Sequence, residues 1–128
     1  MHVLIIEDKP DTDSGLPVFL ESKGHVVDSV GCGISSRHPA LAGQYDAIVL
    51  DVKLPQTDGL KLCRQLRQAG CKSTPILMIS VRNSLDEKIA CLEAGADDYL
   101  VQPVVPSEFE SRLRVLFRLN SRSRVSAH

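Results

Sequence analysis

The sequence contains few aromatic residues and no apolar run long enough to cross a membrane. Tryptophan is absent, and phenylalanine and tyrosine together make up 4% of the chain. The longest apolar runs have only four or five residues, whereas a transmembrane helix needs about 20. The opening MHVLIIED lacks the basic n-region of a signal peptide and reaches acidic residues too early. We therefore expect a cytoplasmic protein that makes no membrane contact.

Neither sign of charge is in excess, and cysteine and histidine form no metal-binding motif. The chain carries 15 basic and 16 acidic residues, so its composition gives no indication of nucleic-acid binding. The four cysteines form no CxxC pair and the four histidines are scattered, which argues against a zinc site. We expect Cys63 and Cys91 to be small buried core residues. With 128 residues, the chain suits one domain with a sizeable core.

Five short apolar runs predict the strands of a parallel sheet. They are rich in valine, isoleucine and leucine and mostly lack alternation, which is typical of strands covered on both faces. Helix-length segments separate them, and this alternation predicts an α/β fold with right-handed crossovers. The runs are VLII at 3–6, HVVDSV at 25–30, AIVL at 47–50, PILMI at 75–79 and DYLV at 98–101.

Two helices in the second half of the chain have clear start or stop signals. Residues 58–69 place apolar side chains on one face, and Gly70 can end that helix. Ser84 with Glu87 forms a capping box, and Gly95 is the stop signal of the helix that it begins. The apolar positions of these two helices are Leu62, Cys63, Leu66, Ala69, Leu85, Ile89 and Leu92.

The last helix is predicted from a second capping box, Ser107 with Glu110. We expect a single domain over residues 1–120. The polar segment at 121–128 has the character of a linker or a frayed end.

The first two predicted helices carry residues that disfavour a regular helix. The first should cover about residues 11–23, but Pro17 removes a hydrogen bond and clashes with the preceding turn. We therefore expect a kink, or a helix whose regular part begins near Leu16. The second, at 33–43, contains two serines, a proline and terminal glycines, and we expect it to be short or irregular.

Polar residues follow directly after the predicted strands. Glu7 and Asp8 follow the first run, Asp51 the third, Ser80 the fourth and Gln102 the fifth. Since ligands of open parallel sheets bind beyond the carboxyl ends of the strands, we expect a site there. Neighbouring carboxylates repel each other, and Mg²⁺, which takes oxygen ligands and suits phosphate chemistry, would offset that repulsion. Asp51 would then stay ionised and act as a nucleophile toward phosphorus.

Four motifs resemble those of response-regulator receiver domains. They are VLIIEDKPD, YDAIVLDVKLPQTDGLKLCRQLR, PILMISVR and GADDYLVQP, and they span residues 3 to about 119 in the order of the family. LDVKLPQTDGL and GADDYLVQP look most like the OmpR/PhoB-type branch, whose receivers usually precede a winged-helix DNA-binding domain. The resemblance implies a flavodoxin-like doubly wound sheet of five parallel strands, in the order 2-1-3-4-5, with five helices.

The resemblance also implies roles in a two-component system. Asp51 would be the phosphoacceptor, charged by a sensor histidine kinase. Glu7, Asp8, Asp51 and the backbone carbonyl of Lys53 would serve the Mg²⁺ site, with Glu7 acting mainly through water.

Ser80, Tyr99 and Gln102 complete the site that the resemblance implies. Ser80 would hydrogen-bond the phosphoryl group, and Tyr99 would turn inward as that hydroxyl moves. Gln102 stands where the family usually has lysine, and it donates hydrogen bonds without bringing a charge. Either Asp51 still accepts phosphate and the signal is transmitted weakly, or the domain is a degenerate receiver that acts by phosphorylation-independent binding. The retained acids and Ser80 favour the first alternative.

The fourth predicted helix, the fifth strand and the fifth predicted helix carry charges that this branch pairs across a two-fold dimer. Such an interface requires self-complementary surfaces. By position, the expected pairs are Lys88 with Glu108, Asp98 with Arg112, and Glu93 with Arg114, and Asp97 lies beside them. The arginines of the last helix lack interleaved aromatic residues, so we expect no direct DNA contact by this domain.

Two other classes of protein with a similar sheet fit the sequence less well. A phosphohydrolase of the haloacid-dehalogenase type needs a second acid two residues after its nucleophile, where this chain has Lys53. A flavin-binding module needs a phosphate-cradling loop after the first strand, whereas EDKPD is acidic and lacks glycine. We therefore expect no enzyme activity beyond self-catalysed transfer to Asp51. A stand-alone receiver without an effector domain is an open alternative, which the coding sequence beyond His128 would decide.

Overall fold

The computed structural model describes residues 1–7, 15–31, 45–52, 56–69, 73–81 and 83–126. At 51–52, 56–58 and 121–126 it describes the backbone alone. Asp8, Lys53 and the predicted helix at 33–43 lie outside the described residues, as do Cys32 and Cys71.

The five predicted strands form one parallel sheet. The order β2-β1-β3-β4-β5 confirms the doubly wound topology. Helices cover both faces of the central strands, and residues 3–6 of β1 are therefore no more than 1% exposed. The strands are β1 (His2–Glu7), β2 (Val26–Gly31), β3 (Ala47–Val52), β4 (Ile76–Ser80) and β5 (Asp98–Val101).

Four helices are present in the part of the chain that the structure describes, not the five predicted. They are α1 (Leu16–Ser22), α2 (Gln56–Gln68), α3 (Leu85–Glu93) and α4 (Pro106–Ser126). The second predicted helix falls outside that part, so α3 and α4 correspond to the fourth and fifth predicted helices. None of the described helices is long and apolar enough to cross a membrane.

Local sequence signals account for most helix ends. Pro17 lies in the first turn of α1, where its missing N–H needs no intrahelical partner, and the regular helix begins at Leu16 as expected. The Ser84 side chain caps α3 by accepting a hydrogen bond from the Glu87 N–H at 3.4 Å. Gly95 ends α3 with a φ of 118°, a backbone conformation that L side chains rarely adopt.

One prediction for the last helix is wrong, and the helix is longer than expected. α4 begins at Pro106, because proline is well suited to the first helical position, so Ser107 lies inside the helix and is not its cap. The helix also continues to Ser126, so the backbone of the predicted tail is helical well beyond residue 120. Glu110 was expected to form a capping box with Ser107, but its side chain contacts His25.

Two apolar layers pack on opposite faces of the sheet. Cys63 and Leu66 of α2 join Cys91 of α3 on one face, while Leu20 of α1 and Phe109 of α4 lie on the other. The prediction that Cys63 and Cys91 are buried is confirmed. Burial raises the pKa of the Cys63 thiol to about 11, which keeps it protonated and unreactive.

Position 69 is an exception on the predicted apolar face of α2. Leu62 is buried with Cys63 and Leu66, but Ala69, the residue after the end of α2, is exposed.

Candidate functional site

The carboxyl ends of β1 and β3 bring two of the predicted acids together. Glu7 is the last residue of β1, and its Cα is in register with that of Asp51 in β3. Neighbouring strands lie about 4.8 Å apart, so the two positions are adjacent across the sheet. Glu7 is only 1% exposed.

The ends of β4 and β5 bring Ser80 and Gln102 to the same edge. Ser80 ends β4 and is in register with Val52 on one side and Val101 on the other. The Gln102 N–H donates a hydrogen bond to the Ser80 carbonyl at 2.7 Å. Predicted site positions 7, 51, 80 and 102 thus lie along one edge of the sheet.

The residues at this edge fit a hard divalent cation. A buried carboxylate such as Glu7 requires compensation by hydrogen bonds or a cation, and Mg²⁺ prefers carboxylate and carbonyl oxygens as ligands. Within the described ranges, no three His, Cys, Asp or Glu side chains converge on a possible metal position. Asp8 and the Lys53 carbonyl, the other predicted ligands, fall outside those ranges.

Tyr99 of β5 is buried. The residue is 6% exposed, and its side chain belongs to the same apolar layer as Cys91 of α3 and Ala94, the residue after that helix. The movement of Tyr99 with the Ser80 hydroxyl stays a prediction. The Tyr99 N–H is held by the carboxylate of the preceding residue, Asp98, at 2.8 Å.

Known proteins match this sequence and this fold. A family model for the response regulator receiver domain matches residues 3–114. The chain belongs to the response-regulator receiver family. The transcriptional regulatory protein TcrA of Mycobacterium tuberculosis is 42% identical over 121 residues, which cover 92% of this chain and 46% of that protein. The transcriptional regulatory protein CusR of Escherichia coli is 40% identical over 118 residues, covering 92% of this chain and 52% of CusR.

These relatives agree with the expected OmpR/PhoB-type branch, and the receiver spans about half of their length. Among solved structures, the receiver domain of the Pseudomonas aeruginosa sensor histidine kinase PA1611 superposes with a TM-score of 0.76 at 30% identity. The match covers 91% of this chain and 96% of that chain. That structure holds a magnesium ion coordinated in its active-site cleft.

A stripe of large apolar side chains on α3 faces outward, although the same residues gave the helix its apolar pattern. Leu85, Ile89 and Leu92 are 71%, 44% and 42% exposed. Small residues, Cys91 and Ala94, face the sheet instead. Scattered exposed apolar residues are ordinary, but a contiguous set marks an interaction surface. The α3–β5–α4 surface, as we call the outward face of these three elements, therefore contains both apolar and charged groups.

Several charged residues expected to pair between subunits are paired within this chain. Arg112 lies 3.1 Å from the Asp98 carboxylate and 3.6 Å from that of Glu108. Arg114 lies 3.4 Å from Glu110, one turn earlier in α4. The remaining residues of the predicted set, Lys88, Glu93 and Asp97, are exposed.

A network at the opposite edge of the sheet was not predicted. Arg67 of α2 donates to the Gly95 carbonyl at 2.7 and 2.9 Å and to the Thr74 carbonyl at 2.6 Å. It also pairs with Asp97 at 2.8 Å, and the same carboxylate oxygen accepts the Ile76 N–H at 2.9 Å. Arg67 thereby joins α2, the start of β4 and the turn after α3. The only sequence signal for this network was the helix-ending glycine.

A second long-range pair, between His25 and Glu110, joins α4 to the turn before β2. His25 Nε2 lies 2.8 Å from the Glu110 carboxylate, and the two side chains are 8% and 12% exposed. Burial raises the pKa of Glu110, but the hydrogen bond from His25 and the charge of Arg114 outweigh it, so that the pKa is lowered. The pair stabilises the ionised carboxylate and ties the first half of α4 to the domain.

Proposed function

We propose that this receiver accepts a phosphoryl group on Asp51 from a sensor histidine kinase and so controls the output of a transcription regulator. The observation that supports this most strongly is the register of Glu7 with Asp51, with Ser80 and Gln102 at the same edge. A carboxylate at a sheet edge, next to the buried Glu7 and the hydroxyl-bearing Ser80, suits nucleophilic attack on phosphorus.

Each residue of the site has a distinct role in this proposal. The Asp51 carboxylate forms the new bond to phosphorus as the bond from phosphorus to the kinase histidine breaks. Ser80 hydrogen-bonds the phosphoryl oxygens. Glu7, Asp8, Asp51 and the Lys53 carbonyl would hold Mg²⁺, which when bound offsets the negative charge of the transferring group.

Gln102 limits how strongly the phosphoryl group is held. The amide donates hydrogen bonds but supplies no positive charge, so we propose that phosphorylation occurs while its signal is transmitted weakly. A degenerate receiver that works by binding alone is the alternative. The retained Asp8, Asp51 and Ser80 favour the first proposal. The buried Glu7 carboxylate beside Asp51 agrees with it, because a buried carboxylate needs hydrogen bonds or a cation to offset its charge.

We further propose that the output is a shift in dimerisation through the α3–β5–α4 surface. The exposed stripe of Leu85, Ile89 and Leu92 supplies apolar area, and the neighbouring charges are self-complementary, as a two-fold interface requires. A DNA-binding effector domain in the complete protein would read this shift, since TcrA and CusR are transcriptional regulatory proteins. A cytoplasmic location remains our prediction.

The test is incubation with Mg²⁺ and acetyl phosphate, followed by intact-protein mass spectrometry. We expect the wild type to gain one phosphoryl mass, and Asp51→Asn, the matched control, to gain none. EDTA should abolish the gain. A wild type that gains no phosphoryl mass would establish the degenerate receiver instead.

Dimerisation is tested separately by sedimentation of the chain with and without the phosphoryl mimic beryllofluoride. The proposal predicts a larger mass with the mimic, and a smaller increase in Ile89→Asp, which places a charge in the apolar stripe. An unchanged mass in the wild type would contradict the proposed output.

A further inference from the structure

The Asp98 carboxylate makes two contacts at the start of β5, both within its own chain. One oxygen lies 3.1 Å from a guanidinium nitrogen of Arg112 in α4, and the other accepts the Tyr99 N–H at 2.8 Å. The Asp98 side chain is 21% exposed and that of Arg112 is 46% exposed. A second guanidinium nitrogen of Arg112 lies 3.6 Å from Glu108.

We infer that the Asp98–Arg112 pair is an intramolecular latch that opposes dimerisation through the α3–β5–α4 surface. This inference rests on the proposed dimer and adds to it a means of regulation. The groups that a two-fold interface would pair between subunits already pair within each subunit. A dimer that forms both intersubunit pairs must therefore break both intramolecular pairs.

The exchange of ion pairs leaves little electrostatic gain from dimerisation. Two Asp98–Arg112 pairs exist before association and two after it. The driving force must therefore come from the apolar contacts of the α3 stripe and from the other expected pairs, Lys88 with Glu108 and Glu93 with Arg114. Weakening the intramolecular pair alone would shift the equilibrium toward the dimer. A contact that is present only in the monomer thus favours the monomer, even though the surfaces of two subunits are complementary.

The latch is placed to respond to the phosphorylation site. Asp98 holds the main-chain N–H of Tyr99, and Tyr99 is two residues from Val101, the register partner of Ser80. A displacement of β5 at Tyr99 therefore changes the position of the Asp98 carboxylate. Arg112 would then be released for the partner subunit.

A charge-swap experiment separates the intramolecular pair from the intersubunit pair. In Asp98→Arg, and likewise in Arg112→Asp, the two positions carry like charges within each chain. When the two variants are mixed, the heterodimer has opposite charges facing across both contacts, while neither monomer has a latch. The double variant Asp98→Arg/Arg112→Asp is the matched control, because it restores both kinds of pair in reversed orientation.

The dissociation constants are measured by sedimentation equilibrium without beryllofluoride, so that the wild-type latch is closed, and one variant is labelled so that the heterodimer is identified. We expect the mixture to dimerise roughly 3- to 10-fold more tightly than the wild type, a range in keeping with exposed ion pairs. The double variant should behave like the wild type, and each single variant alone should dimerise more weakly.

Two other outcomes would overturn the latch, and they differ in what they leave standing. If the single variants alone are weakened but the mixture only matches the wild type, the pair crosses the interface without opposing it, and the proposed dimer survives. If the single variants dimerise like the wild type, the pair lies outside the interface and the proposed surface fails with the latch. Phosphorylation of Asp51 is measured independently by mass.

Discussion

Replacement of Arg67 by alanine removes the centre of the network at the amino-terminal edge of the sheet. The guanidinium makes two hydrogen bonds to the Gly95 carbonyl, one to the Thr74 carbonyl and one ion pair with Asp97. Its side chain is 19% exposed, whereas that of Asp97 is 43% exposed. The carbonyl contacts are therefore more important than the ion pair, which solvent partly screens.

The expected loss of stability follows from what the truncation leaves behind. A hydrogen bond from a charged donor contributes about 1.5–3 kcal/mol, and a buried carbonyl left without a donor costs about 1–3 kcal/mol. These values are not additive, and water entering the vacated space compensates part of the loss. We therefore expect Arg67→Ala to lower the free energy of unfolding by about 2–3 kcal/mol.

Urea denaturation at neutral pH measures this loss, with two variants for comparison. Arg67→Lys should retain part of the stability, because an ammonium group cannot reproduce the planar fork that reaches both carbonyls. Arg64→Ala, on the exposed side of the same helix, should change stability by less than about 0.5 kcal/mol. A loss in Arg67→Ala no larger than that in Arg64→Ala would refute the importance of the network.

Three further predictions concern other contacts. Gly95→Ala should lower the free energy of unfolding by about 1–3 kcal/mol, because its φ is 118° and the new Cβ would lie 2.8 Å from Arg67 Cγ. Gly24→Ala is the control: its φ of 90° is also positive, but the new Cβ would meet no atom within 4 Å outside its chain neighbours. It should therefore lose less stability in the same urea titration. Glu110→Gln should be less stable than the wild type at neutral pH, and this difference in stability should vanish as pH falls well below the ordinary carboxyl pKa of 4.5. The reason is that a lowered pKa stabilises the folded state only where the carboxylate is ionised. A difference in stability that does not depend on pH would contradict the role of that charge. Gln102→Lys should increase the dimer shift caused by beryllofluoride without changing phosphoryl uptake by mass, and a shift no larger than in the wild type would show that the missing lysine does not limit transmission.

Local signals in the sequence predicted local structure well. The apolar runs located all five strands, since strands covered on both faces need no polar alternation. Pro17 and the Ser84 cap fixed the starts of α1 and α3. The cap at Ser107 failed because Pro106 offered a competing start one residue earlier, a choice that propensity alone did not decide.

Contacts between distant residues could not be predicted from a single sequence. Arg67 and Gly95 are 28 residues apart, and His25 and Glu110 are 85 apart. The packing of helices on the sheet brings each pair together. Sequence periodicity identifies each helix separately and does not show how the helices pack.

The outward direction of the α3 stripe has a similar explanation. A helical apolar pattern shows that one face is apolar but does not say which neighbour covers it. Small side chains, Cys91 and Ala94, let α3 approach the sheet and leave the larger residues outside.

The candidate site was predicted as a set of positions at one sheet edge. Strand order and register bring Glu7 beside Asp51 and place Ser80 next to Gln102, in agreement with the expected edge. The roles of these residues, and of Asp8 and Lys53, are still predictions. The family gives the expected chemistry, and the Gln102→Lys variant tests the consequence of Gln102 for signalling.

The most direct test of the central claim identifies the residue that carries the phosphoryl group. Protein treated with acetyl phosphate and Mg²⁺ is reduced with borohydride, which converts an aspartyl phosphate to homoserine, and the tryptic peptides are sequenced by tandem mass spectrometry. We expect homoserine at position 51 in the wild type and at no position after EDTA treatment. An unmodified Asp51, or homoserine at another aspartate alone, would contradict it.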